Sequence, residues 1–269
     1  MKKHLNLTPF LAAAAGVAGA LLRSWLLKAG TDDRGLYPSG HPGWIGYVIL
    51  SVAMIVGLYL LTREAEAAPT WRRNFPNTFP AAGISAAGYA LAAVGIFLFG
   101  KTSTDSTLIR TIVYWGSFAC IGALLFISLQ LLLGKKPLPG VFPIPCIYFA
   151  ALMFLESQQF RGEPELLRYL PQVAALACCA LASYQLWGFA ADCGNRKTSL
   201  FWSCCTIYFC LAAAPGNALL YPLVGLWQLL SHCAAILPPV EAPAEAETEI
   251  FEEAVPSFSD ETPSDEEEA

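Results

Sequence analysis

Between the charged residues of this 269-residue chain lie several stretches of about 18 to 24 residues that hold almost no Asp, Glu, Lys or Arg. The longest, Ser199–Leu237, extends for 39. At about 1.5 Å per helical residue, such stretches match a hydrocarbon core of about 30 Å. No water reaches a backbone amide there, so a crossing segment must pair its own N–H and C=O groups, which leaves the α-helix. These runs predict an all-α fold, a polytopic transmembrane helix bundle. Composition points the same way. Charged residues make up 14% of the chain and hydrophobic residues 55%, whereas about a quarter of a soluble domain is charged.

Seven or eight crossings fit. The pattern places spans at Leu5–Leu27, Trp44–Leu61, Pro80–Phe99, Leu108–Leu133, Val141–Glu156 and Leu170–Asp192. Ser199–Leu237 is twice one crossing and is interrupted by Ala214-Pro215-Gly216-Asn217. Proline, glycine and asparagine together favour a tight turn over a kink, which divides the run into Ser199–Ala213 and Ala218–Leu237 and makes eight spans. The rival is seven crossings, one of them a broken helix. Lys2 and Lys3 before an alanine-rich run resemble a secretory signal, but the apolar run resumes past Arg23 with Trp25, Leu26 and Leu27, which favours a retained first helix. Ala12, Gly16 and Ala20 fall four apart on that helix, and Gly83, Ala87, Gly88 and Ala92 form a similar small-residue face on the third span. Such faces let helices approach closely in lipid.

Charge divides the chain in two. Val240–Ala269 holds 12 of the 21 acidic residues and no Lys or Arg. The domain expectation is a transmembrane body, residues 1–238, followed by an acidic tail, 239–269. Low hydrophobicity, high net charge and five prolines between Pro238 and Pro263 predict that the tail is disordered. It either solvates the protein or docks on a basic cytosolic partner through Ile250, Phe251 and Phe258. With eight spans, nine Lys and Arg residues fall on one side and five between spans on the other, with Arg23 and Arg110 just inside span ends. This modest bias puts both termini in the cytoplasm.

Few residues in the body offer chemistry. Arg23 lies about one turn from a span end and can snorkel to the headgroups. Glu156 closes the fifth span, and His232 is the most deeply placed titratable group. A lone membrane histidine more often makes one interhelical hydrogen bond than it transfers protons. The central thirds of the spans lack Asp, Glu, Lys and Arg, so no proton relay emerges. Seven of the nine cysteines lie between Cys178 and Cys233, yet none forms C-x-x-C. Packing explains them better than a soft-metal site assembled from several helices. Zinc-protease, intramembrane serine-protease, P-loop and nucleic-acid patterns are absent. No cofactor and no metal are expected.

The segment KAGTDDRGLYPSGHPGW, residues 28–44, raises a separate question. Lys28-Ala29-Gly30 reads as a helix stop, and Trp44 and Tyr47 as headgroup anchors. Asp32, Asp33 and His41 lack an evident local role. The aspartates could pin the loop by pairing with Arg23 or Arg34, or bind a cation or polar ligand with His41. The candidate ligand-contacting residues are thus Arg23, Asp32, Asp33, His41, Glu156 and His232.

Around this loop Arg23, Trp25, Leu26, Leu27, Gly30, Asp32, Gly35, Leu36, Pro38, Gly40, His41 and Pro42 resemble a recurrent segment of multi-pass membrane proteins of Firmicutes. The resemblance runs mainly over residues 23–63. It implies a bacterial cytoplasmic membrane and carries no catalytic residue across. The leading functional expectation is a non-enzymatic sensing, scaffolding or assembly protein, with the lipid bilayer and a cytosolic protein as partners. A small carrier for a neutral or amphipathic solute comes second and a membrane-embedded enzyme third.

Overall fold

The computed structural model describes residues 3–29, 41–65, 69–75, 78–99, 107–159, 166–216 and 219–236. All of them fall in one compact unit, Met1–Pro239. The tail expectations for 240–269 lie outside the described residues. Eight long helices are present among those described: α1 (Lys3–Lys28), α2 (Pro42–Thr62), α4 (Phe79–Phe99), α5 (Thr107–Leu132), α6 (Pro143–Gln159), α7 (Leu166–Ala190), α8 (Arg196–Ala213) and α9 (Leu220–Ile236). A single turn, α3 (Trp71–Asn74), sits between α2 and α4. The helices alternate in direction, so the bundle has two ends. One carries Arg23 and the other Asp192.

Among the described residues six helices are long and apolar enough to cross a membrane: Asn6–Lys28, Pro42–Thr62, Phe79–Leu98, Thr111–Leu132, Pro139–Gln158 and Tyr169–Ala190. The eight expected spans correspond to eight helices, of which only six reach this standard: α9 is 17 residues long, and α8, which opens on Arg196 and Lys197, is less apolar. Packing explains the difference. α2 buries only Gly43, Tyr47, Leu58 and Thr62 and exposes Ile45, Ile49, Val52, Val56 and Leu60. α8 buries ten residues, among them Ser199, Ser203, Cys204, Cys205, Thr206 and Tyr208. A helix that meets mainly protein need not be as apolar as one whose outer face remains uncovered. The interruption at residue 214 is a 3₁₀ turn, Ala214–Gly216, which ends α8 before α9 begins.

Small residues fix the crossings. A Cβ at Gly16 would lie 2.8 Å from Leu211 Cβ and 3.0 Å from Tyr208 O, so α1 rests directly on the backbone of α8. Ala12 is buried on the same side, whereas Ala20 is half-buried and Gly19 makes the next close approach, 3.1 Å from Ala212 Cβ. On α4, Gly88 meets Trp227 O at 3.0 Å and Gly95 meets Leu223 Cβ at 3.1 Å, so α9 lies along the Gly88–Ala92–Gly95 face. Ala87 is exposed and Gly83 has nothing within 4 Å, so only part of the expected third-span face is used. Hydroxyls add ties. Ser128 Oγ donates to Ala86 O at 2.9 Å between α5 and α4. Ser51 spends its one proton on Tyr47 O, so the Tyr208 hydroxyl donates to Ser51 Oγ at 2.8 Å between α8 and α2.

Candidate functional site

Two polar regions lie at opposite ends of the bundle. At the first, Arg23 is buried, and its Nη1 donates to Ala213 O at 3.0 Å and Ala212 O at 3.5 Å. The last carbonyls of a helix lack intrahelical partners and carry partial negative charge. Arg23 therefore caps α8 from the neighbouring helix. This corrects the expectation that its guanidinium snorkels to the headgroups. The close approach at Gly16 and Gly19 brings α1 against α8, and Arg23 follows one turn later on the same side.

Glu156 belongs to this end too. Phe149 of α6 stacks against Trp227 of α9 with ring centroids 6.3 Å apart. α6 and α9 run in opposite directions, so Glu156, two turns beyond Phe149, reaches the level of Tyr221, six residues before Trp227. Glu156 and Arg23 both lie within electrostatic reach of the Tyr221 hydroxyl. Arg23, Glu156 and Tyr221 thus lie at the end of the bundle where the Ala214–Gly216 turn sits. Tyr221 carries no motif and emerges only from this register. Below it the Cys179 and Cys210 thiols touch across α7 and α8 at Sγ–Sγ 3.6 Å, both buried and unbonded.

His41 has a local task. It is the N-cap of α2, where Nδ1 accepts the Gly43 N–H at 3.1 Å and Pro42 opens the first turn. Its ring meets Trp25 edge-on at 5.1 Å. Asp32 and Asp33 lie outside the described residues.

His232 is at the other end, far along the bundle from Arg23. It is 8% exposed and lines a recess with Asn74, Phe75, Phe189, Arg196, Ser199 and Leu200. Water can enter about 30 Å³ of this space, enough for about two molecules and too little for a metabolite. The start of α8 forms one wall. Two of its first-turn amides are already engaged, because Asn195 Oδ1 accepts from Lys197 N at 3.1 Å and Thr198 N at 3.4 Å.

A clasp holds this end shut. Asp192 Oδ1 accepts the Trp71 N–H at 3.3 Å, while Lys136 donates to its other oxygen. Gly194 N donates to Pro69 O at 3.1 Å. The loops after α2, α5 and α7 are thereby joined through one carboxylate. Trp71, 1% exposed, stacks on Phe75 at 4.3 Å, and Phe75 meets Phe189 at 5.9 Å. The Lys136 hydrogen bond and charge hold the Asp192 carboxyl below the ordinary carboxylate range. Residues 62–79 fall between the expected spans Trp44–Leu61 and Pro80–Phe99 and carry no expected site. The Trp71-to-Phe75 spacing of one helical turn was the available signal.

Among the described residues no group of three or more His, Cys, Asp or Glu could hold a metal ion. Of the nine free cysteines, Cys193 alone is exposed. The fold and these two ends define a class: an all-helical protein with several helices suited to crossing a bilayer. A scan against protein-family models finds no match, and neither the curated proteins nor the solved structures yield one.

Proposed function

We propose that this chain is an eight-span protein of the bacterial cytoplasmic membrane that serves as a non-enzymatic scaffold or sensor, with its acidic C-terminal segment contacting a basic cytosolic partner. The observation that carries this reading is the clasped, cationic Asp192 end. Lys3, Arg63, Arg72, Arg73, Lys135, Lys136, Arg196 and Lys197 all fall at that end, where α9 also stops at Ile236. Cations gathered on one side favour the cytoplasm. The three tied loops suit a fixed platform better than a moving gate. Small-residue interlocks of α1 on α8 and α4 on α9 also suit a rigid body. The resemblance of residues 23–63 to Firmicutes membrane proteins supports the choice of membrane.

Truncation after Pro239 tests the proposal. Cross-linking in cells followed by capture should recover a defined protein with the full chain, and lose it with the truncated chain and with charge-neutral Asp265, Glu266, Glu267 and Glu268 variants. Equal recovery from all three would remove the tail from the proposal.

A carrier for a small neutral or amphipathic solute is the second reading. It is favoured by the meeting of Glu156, Tyr221 and the Pro215 turn at one level of the bundle. In that case uptake survives tail removal and falls with Glu156→Gln.

A further inference from the structure

We propose that α8 and α9 enclose a water inlet, a hydrated polar seam that begins at the His232 recess and reaches about 10 Å into the bundle to Gln228. Two anchors set the register of the antiparallel pair. A Cβ at Gly225 would lie 3.1 Å from Cys210 Cβ and 3.8 Å from Ile207 O, so the helices close tightly there. At the other end Ser199 and His232 line the same recess. Between these anchors the facing positions are Ser203 and Thr206 on α8, and Gln228 and Ser231 on α9. A run of about seven helical residues at 1.5 Å each gives the depth.

These positions are polar and buried: Ser203 and Gln228 are 1% exposed and Ser231 is 3% exposed. Thr206 Oγ1 is satisfied by Trp202 O at 2.9 Å. Ser203 Oγ, Ser231 Oγ and Gln228 Nε2 make no hydrogen bond to the protein. A buried polar atom without a partner is costly, and three in one seam are better explained by water than by three separate penalties. The recess at the mouth admits about two waters and no larger solute; Ser203, Gln228 and Ser231 lie beyond its lining, so the water that satisfies them enters along the α8–α9 interface. Beyond Gln228 the seam ends where Gly225 packs on Cys210, so the inlet is a dead end and not a channel. The ligand is water.

The test uses the full chain in nanodiscs with ¹⁵N-labelled glutamine side chains. Magnetisation transfer from water to the Gln228 side-chain amide should be fast, and Ser199→Leu at the mouth should suppress it while leaving the other glutamines unchanged. Absence of transfer, or transfer that Ser199→Leu leaves intact, would overturn the inlet. A stability readout with opposite signs stands beside it. With a hydrated seam, Ser203→Ala, Ser231→Ala and Gln228→Leu lower the melting temperature, because water loses its partners. In a dry seam each substitution removes an unsatisfied atom and raises it, which would also overturn the proposal.

Discussion

Asp192 Oδ1 accepts the backbone N–H of Trp71 at 3.3 Å, although 121 residues separate the two in the chain. The backbone shows that the carboxylate itself is wanted. Asp192 N donates to Phe189 O and Cys193 N to Gly188 O, the paired bonds that close a helix through a left-handed residue. Asp192 has φ 58° there, while Gly134 takes the corresponding place after α5 with φ 67°. Glycine adopts this conformation without a Cβ penalty, and aspartate accepts the penalty in exchange for its side-chain bonds.

Asp192→Ala should therefore lower stability more than Asp192→Asn. Asparagine tolerates the left-handed backbone and keeps an acceptor for Trp71, so it loses only the half-exposed ion pair, worth about 0.2–1 kcal/mol. The pH dependence has a fixed sign. The folded carboxyl is held below its ordinary 3.8, so its contribution is complete above that value and disappears as pH falls through the lower folded value. Melting curves in nanodiscs should show an acid-side loss that Asp192→Asn lacks. Identical acid limbs would refute the linkage.

Glycine positions sort by what a methyl group would meet. Gly16→Ala and Gly88→Ala press on the backbone or Cβ atoms of α8 and α9 and should cost about 1–3 kcal/mol each. Gly57→Ala and Gly122→Ala meet nothing within 4 Å and should be neutral or stabilising by up to about 1 kcal/mol through helix propensity. Thermal unfolding of the four variants checks the order. Equal effects would show that α1 and α4 do not pack as described.

Removing Arg23 leaves the Ala212 and Ala213 carbonyls without their donor. Charge-assisted bonds of this kind contribute about 1.5–3 kcal/mol, so Arg23→Ala should be markedly destabilised. Arg23→Lys should fall between, since a point charge does not reproduce the guanidinium fork. An Arg23→Ala protein that melts with the parent would remove the cap.

Cys193 reports sidedness without any substitution. It is exposed in the α7–α8 loop, while the other eight cysteines are buried or half-buried. A membrane-impermeant maleimide should leave Cys193 unmodified in intact cells and modify it once the membrane is opened. Labelling of intact cells would reverse the proposed orientation.

The helices were legible because their signal is local. Charge-free length and interruption by Pro215-Gly216 placed the limits of α1, α2 and α4–α9 within a few residues. The candidate site was legible only in part. His232 and Glu156 stood out as titratable groups, but their placement at opposite ends follows from α6 and α9 stacking at Phe149 and Trp227. Arg23 stood out for its charge, and its role depends on an α8 terminus about 190 residues later. Asp192 did not stand out, because an acid at the very end of a span reads as solvated until Lys136 and Trp71 are seen beside it.

That this chain folds into apolar helices follows from its charge-free runs alone, since in hydrocarbon no other local structure satisfies a crossing backbone. Where those helices touch was decided by the tertiary structure alone. α8 and α9 fall outside the six helices most suited to crossing a membrane, yet close helix approaches converge on them, at Gly16, Gly88 and Gly225. The physical reason is that helix formation depends on neighbours within four residues, whereas the partners of Arg23, Asp192 and Tyr208 lie more than fifty residues away and meet them only after the bundle has closed.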